Sequence, residues 1–188
     1  QLYYSRYQFD LFSNFTFFLN DPVNGDQIRQ REKRDIVGYN ASLQTKHYYR
    51  RWMITSDAGW GLRADRTYES ELSHTAVKET IIERKALGNI KETNAFAYAA
   101  QNISSGKWVL NPSVRVDYFS FAYTDALNPV LPSQQKAILS PKLNVFYNHS
   151  KTVQLFLKTG KGFHSNDARV VVPNNGSQIL PAAYGADA

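Results

Sequence analysis

The sequence predicts an all-β protein, a transmembrane antiparallel β-barrel of which residues 1–188 form an incomplete wall of about seven long strands. Three observations predict it. Polar and apolar residues alternate over stretches longer than globular strands usually run, short and long connections alternate along the chain, and aromatic residues gather towards both strand ends.

The clearest alternation opens the chain. From Tyr7 to Leu19 the odd positions read Tyr7, Phe9, Leu11, Ser13, Phe15, Phe17 and Leu19, against Gln8, Asp10, Phe12, Asn14, Thr16 and Phe18. Thirteen residues with one apolar face exceed the ~5–6 of a typical globular strand and suit a tilted membrane strand. Six weaker stretches follow. Val37, Tyr39, Ala41 and Leu43 carry the second apolar face, and Ile54, Ala58, Trp60 and Leu62 the third. Ala95, Ala97 and Ala99 oppose Phe96 and Tyr98 in the fourth. Trp108, Leu110, Val114, Val116 and Tyr118 carry the fifth, Leu139, Leu143, Val145 and Tyr147 the sixth, and Val153, Leu155 and Leu157 the seventh.

The connections carry more topological information. His47–Arg50, Ser104–Lys107 and Asn148–Lys151 read as hairpin-length turns. The alternate connections read as long. Asn20–Ile28 holds Asp21-Pro22 and Asn24-Gly25-Asp26, Arg66–Asn89 is a charged stretch, Thr124–Gln135 holds Asn128-Pro129, and the last runs from His164 onwards. Tight turns at one end and long loops at the other are the pattern of an outer-membrane barrel. The aromatics agree. Tyr48, Tyr49, Trp52, Trp108 and Tyr147 flank the short turns, while Phe15, Phe17, Phe18, Phe119, Phe121 and Tyr123 lie towards the long loops, as two interfacial girdles would.

Composition narrows the class. The longest dense apolar run, Phe15–Leu19, is far shorter than the ~20 residues of a spanning helix, which excludes a helical membrane protein. The mean hydropathy of -0.46 is no argument against a barrel, whose alternation hides its apolar residues from any average. There is no cysteine, hence no disulfide or thiolate metal site. The net charge of +6 does not predict nucleic-acid binding, because the basic residues are scattered and mostly have acids nearby. No charged-then-apolar leader opens the chain. The five N-x-S/T triplets, at Asn14, Asn40, Asn102, Asn148 and Asn175, fall largely in alternating polar wall and are not read as glycosylation sites.

Several segments, in order, resemble TonB-dependent outer-membrane receptors. They are LSPKLNVFY (Leu139–Tyr147), LFLKTGKGFHSNDAR (Leu155–Arg169) and LPAAYGAD (Leu180–Asp187), with DPVNGDQIRQ (Asp21–Gln30), GLRAD (Gly61–Asp65) and NPSVRVDY (Asn111–Tyr118) earlier in the chain. The resemblance implies a Gram-negative outer-membrane barrel of 22 strands filled by an N-terminal plug. It implies uptake of a scarce ligand, of the ferric siderophore, cobalamin, haem or glycan class, driven by the TonB complex. Residues 1–188 are then expected to be barrel wall only, with the plug, the TonB-contacting segment and the remaining strands outside them. A passive porin-like barrel and a secreted all-β binding domain are the alternatives.

Residues that alternate away from the apolar face are expected to line the lumen: Asp57, Arg63, Asp65, Arg115, Asp117, Lys142 and Lys158. Arg63/Asp65 and Arg115/Asp117 are spaced to pair on one face. Arg63, Arg115, Lys142, Lys158, Lys161, His164, Asp167 and Arg169 are the candidate ligand contacts, in the lumen or the loops, for a small ligand such as a metal chelate. His47 and His149 fall at the short-turn end and His74 and His164 at the other, so the four do not predict one metal site. No nucleophile elbow, H-E-x-x-H or phosphate loop is present, and neither an enzyme nor a cofactor is expected. The expected partners are outer-membrane lipid, the ligand, and TonB through the N-terminal part of the receptor.

Overall fold

A computed structural model of the protein describes residues 1–128, 132–174 and 180–187; Pro129 and Asn175, singled out above, lie outside them. The described residues form one antiparallel meander of eight strands. These are β1 (Leu2–Ser13), β2 (Ile28–Tyr49), β3 (Trp52–Ala76), β4 (Thr80–Ser105), β5 (Trp108–Asp125), β6 (Gln134–Asn148), β7 (Gln154–Phe163) and β8 (Ala182–Asp187). Each strand pairs with the next in chain order. A one-turn helix, α1 (Ala168–Val171), interrupts the β7–β8 connection. The all-β prediction holds, and the sheet is an incomplete wall. The eighth strand, beyond the seven expected, is the AAYGAD segment.

Register fixes which side chains share a face, because directly paired residues on antiparallel strands point the same way. On β3 the even residues Ile54, Ala58, Trp60, Leu62 and Ala64 share one face, broken only by Ser56. Through the pairs Tyr39↔Leu62, Leu62↔Ala95, Ala95↔Tyr118 and Val116↔Leu139 that face continues across the sheet to Val145 and Leu157. Val37, Leu43, Trp60, Val114, Val116, Leu139, Leu143, Leu155 and Leu157 remain exposed on it. Ten residue steps from Ile54 to Ala64, at ~3.3 Å each and a tilt of ~40°, span about 25 Å, the height of a barrel's apolar band. We call this the outer face. Within the height of this band the charges lie on the inner face, Lys161 excepted, and that face receives α1.

Three expectations need correction. The first strand ends at Ser13, and Asn14–Gln27 is a connection, which leaves Phe15, Phe17, Phe18 and Leu19 exposed in a loop. The apolar face of that strand also turns inward: Tyr7 pairs with Arg34 and Phe9 with Glu32, both inner-face residues, while Leu2, Tyr4 and Arg6 point outward. The physical reason is position along the strand. From Arg6 onward β1 has passed the apolar band, so its outward positions have no apolar neighbours to match.

The charged stretch 66–89 is not a loop. β3 and β4 continue through it as a hairpin closed by three residues, Val77–Glu79. Short and long connections therefore do not alternate strictly. Finally, Phe119, Phe121 and Tyr123 are not girdle residues. They lie on the inner face, opposite in phase to Val116 and Tyr118, and are buried against α1. The short-turn end keeps its aromatics: Tyr48, Tyr49 and Trp108 are exposed, and Trp108 packs on Tyr147 at 4.7 Å between centroids.

Candidate functional site

The inner face is a polar wall built by i, i+2 spacing, which puts alternate residues of one strand side by side. On β3, Arg63 donates from Nε and Nη2 to the two carboxylate oxygens of Asp65, both at 2.7 Å. On β5, Arg115 grips Asp117 in the same way at 2.7 and 2.8 Å. Such two-pronged pairs fix the plane of the guanidinium as well as its position. Asp117 is 1% exposed, so its charge depends on the fork and on Asn94 Nδ2, which donates at 3.3 Å. The Arg115 guanidinium also lies 4.0 Å from the Phe96 ring centroid. Next to these, the Tyr98 hydroxyl donates to Asp57 at 3.2 Å.

Glycines let the rings lie flat on this wall. A Cβ on Gly59 would sit 2.4 Å from the Tyr98 ring, and one on Gly61 2.6 Å from the Tyr39 carbonyl oxygen and 2.7 Å from the Phe96 ring. The glycines of GWGLRAD thus make room for the side chains of the neighbouring strand.

Towards the long-loop end, a second cluster joins β1, β2 and β3. Arg34 approaches Glu32 at 3.2 Å and Asp65 at 3.9 Å, and stands over the Tyr7 ring at 5.6 Å. The Tyr7 hydroxyl donates to Glu32 at 2.7 Å. Arg34 Nε is buried without a hydrogen-bond partner. A cavity of about 380 Å³ opens here, lined by Tyr7, Glu32, Arg34, Ser70 and Arg169 among others.

α1 closes one side of it. Val171, Val172 and Leu180 pack against Ile90, Phe119, Phe121, Tyr123 and Ile138, and Phe163 meets Phe119 edge-on at 5.7 Å. Asp167 caps α1, accepting from Arg169 N at 2.8 Å, and its carboxylate also binds the Arg169 guanidinium at 2.9 and 2.7 Å. Burial opposes ionisation of Asp167. The donors of Arg169 outweigh it and hold the carboxyl below the usual range, while the carboxylate raises the guanidinium's pKa in return. Arg169 Nη1 then reaches Ser70 Oγ at 3.5 Å, tying the β7–β8 connection to β3.

The predicted contacts therefore separate into groups. Arg63, Arg115, Lys142 and Lys158 share the inner face, the last two through the pairs Ser113↔Lys142 and Asn144↔Lys158. Arg63 and Arg115 are each neutralised by an aspartate, whereas Lys158 Nζ stands 4.4 Å from the Phe156 ring. Asp167 and Arg169 flank the cavity side of α1. His164 hydrogen-bonds through its backbone to Pro181 at 3.1 Å. Lys161 is elsewhere: paired with Tyr184, it has the outward phase of Leu155 and Leu157. Sequence reasoning missed Tyr7, Glu32 and Arg34. The signal was there in the RQREKRD run, whose alternate residues Glu32 and Arg34 share a face, but the register that brings Tyr7 and Asp65 beside them is not readable from one strand.

A family model described as TonB dependent receptor-like, beta-barrel, matches residues 1–185. Among solved structures, the ferric citrate transporter FecA in its unliganded form superposes with a TM-score of 0.79 at 12% identity, over 97% of this chain and 27% of that one. The chain thus spans about a quarter of the length of that transporter, and at this identity the likeness shows the fold. No curated relative matches in sequence.

Proposed function

Because the chain belongs to the TonB-dependent receptor-like β-barrel family, we propose that it is barrel wall in an energised outer-membrane receptor that takes up a scarce small ligand. The family and fold are those of receptors and transporters of the Gram-negative outer membrane. The observation that carries the reading is the division of one sheet into a continuous apolar outer face and a charged inner face with a cavity at its long-loop end. A secreted all-β domain has no use for nine large apolar side chains exposed together on one face.

Within the ferric siderophore, cobalamin, haem and glycan classes, an anionic metal chelate best suits the inner face. Its forks cancel Arg63 and Arg115, and Glu32 and Asp65 flank Arg34, leaving Lys142 and Lys158 as the inner-face cations with no ion pair among the described residues. In this reading the receptor's N-terminal part forms a plug inside the barrel and carries the contact with TonB. The ligand itself is transported cargo in this reading. A passive porin remains the second reading, distinguished by energy dependence.

The test is uptake of radiolabelled ferric siderophores, cobalamin and haem by cells expressing the full-length protein, with and without active TonB. Uptake of one compound that vanishes without TonB is expected. Diffusive uptake that ignores TonB would replace the receptor with the porin reading.

A further inference from the structure

Acids are missing from the short-turn end of the sheet. No aspartate or glutamate occurs in residues 36–56, 93–116 or 126–166, the segments that run through the turns after β2, β4 and β6. On the strands that lead away from those turns, Asp57 and Asp187 lie within β3 and β8 on the inner face. The turns themselves carry cations. Arg50 and Arg51 join β2 to β3, Lys107 closes the β4–β5 turn, and Lys151 lies in the β6–β7 turn, all of them exposed. None of the four has an ion pair among the described residues. Lys107 Nζ donates instead to the His149 carbonyl oxygen at 2.8 Å, and Asn148 N donates to the Lys107 carbonyl oxygen at 2.8 Å. These two bonds hold the β4–β5 and β6–β7 turns side by side.

Arg50 stands where an arginine is costly. Its φ is +53°, and the equivalent place in the β4–β5 turn is held by Gly106 at φ +58°. That conformation favours glycine and penalises a side chain, so the turn alone does not account for the residue. The position of the cations points past the lipid. Outward strand positions beside the turns are filled by Tyr49, Trp52, Trp108 and Tyr147, rings of interfacial depth, and the cations lie beyond them at the turn tips. The short-turn end of an outer-membrane barrel faces the periplasm. The extended anion there is the murein layer, a glycan whose peptide stems carry carboxylates. Sheet order sets the three turns two strands apart, about 10 Å from one to the next. Cations repeated at such intervals suit a linear polymer of carboxylates better than one compact acidic patch. We propose that Arg50, Arg51, Lys107 and Lys151 form a docking row for the stem carboxylates of murein.

This rests on the outer-membrane placement proposed above, but not on transport. The experiment is co-sedimentation of the full-length protein, in detergent, with purified murein sacculi and with sacculi whose stem carboxylates have been amidated. Phosphatidylglycerol added to the micelles serves as competitor. Salt-sensitive binding to native sacculi, lost on the amidated ones, is expected. Arg51→Gln, Lys107→Gln and Lys151→Gln should each weaken it about threefold and together about thirtyfold, the scale of exposed ion pairs. Arg50→Gly should weaken binding similarly while raising the temperature of unfolding, which separates the charge from the turn. Lys78→Gln, in the β3–β4 turn at the opposite end, should leave binding unchanged. Heat-modifiable migration on a gel reports folding of each variant, and if the triple variant fails to fold, the singles decide. Unchanged binding in folded variants overturns the proposal, as does equal binding to amidated sacculi. Displacement from sacculi by phosphatidylglycerol would assign the row to lipid headgroups and also overturns it. A protein that stays folded and monodisperse without detergent or lipid would instead remove the membrane placement itself.

Discussion

Two connections at the same end of the sheet are ordered by opposite physics. Asn14–Gln27, between β1 and β2, is held by carboxylates. Asp21 accepts from the amides of Val23 and Asn24 at 3.0 and 2.9 Å, Asp26 accepts from the amides of Asn20 and Asp21, and His74 Nε2 lies 2.6 Å from the Gly25 carbonyl oxygen. Its aromatics, Phe15, Phe17 and Phe18, stay exposed. The connection after β7 buries apolar groups instead: Val171, Val172 and Leu180 are almost wholly covered on the inner face, worth roughly 1.5–3 kcal/mol for each such side chain. Polar anchoring holds a loop at the rim, where water and ions reach it. Apolar anchoring draws a segment over the cavity and makes it part of the wall. The described residues of the second connection thus lie against the inner face beside the cavity, while the first is held by its own carboxylates at the edge of the sheet.

Removing the apolar anchor should have the largest effect. Phe121 is fully buried under α1, and Phe121→Ala removes a large ring from a packed site, costing about 3–5 kcal/mol. In hydrogen exchange, the amides of Val170, Val171 and Val172, which bond back to Asp167 and Ala168, should lose protection while Gly25 and Asp26 keep theirs. Equal loss in both connections would show that they are one cooperative unit and dissolve the distinction. A smaller, opposite lesion is Gly25→Ala. Gly25 has φ +81°, a conformation that costs a side-chain-bearing residue roughly 1–2 kcal/mol, and its new Cβ would stand 3.3 Å from the Phe17 carbonyl oxygen. Protection should fall at Gly25 and Asp26 and hold at Val171.

How much of this was legible follows from what each feature depends on. The two Arg–Asp forks were readable because i, i+2 residues of a strand must share a face, a fact internal to one short segment. The outer face of β3, β5, β6 and β7 was readable for the same reason. The burial of Phe119, Phe121 and Tyr123 was also implied by the phase of Val114, Val116 and Tyr118, and was missed by reading distance along the chain in place of phase. Two things were out of reach. The β3–β4 hairpin turns at Val77 and Lys78, both with positive φ (48° and 70°), where no glycine, asparagine or aspartate announces a turn. Irregular pairing near Thr67, Leu72 and His74 then breaks the period of two, so a charged stretch with no steady alternation reads as a loop. The juxtaposition of Arg34 with Asp65 depends on register between strands, which one sequence does not encode locally.

The subtlest separation of the two connections is by pH. Desolvation alone would push the Asp26 carboxyl up, but donors from Asn20, Thr16, Asp21 and Leu19 prevail and bring its pKa down to about 2. Asp21 is also lowered, through the donors of Asn24 and Val23. A carboxyl depressed in the folded state contributes stability that is fully present above its unfolded pKa, near 3.8 for Asp26, and is lost as pH falls through the folded value. The β1–β2 connection should therefore hold its structure at neutral pH and loosen between about pH 4 and pH 2. Amide exchange at Asn20 and Asp21, corrected for the intrinsic rate at each pH, reads this directly. Asp26→Asn should loosen the connection at neutral pH and flatten its acid dependence. The apolar contacts of Val171 and Val172 contain nothing that titrates in acid, but α1 also carries Asp167, lowered by Arg169, so its cap should soften in acid while the valines stay buried. If Val171 and Val172 instead lose protection in step with Asn20, the fork at Asp167, and not the apolar contact with Phe121, is what holds the second connection in place.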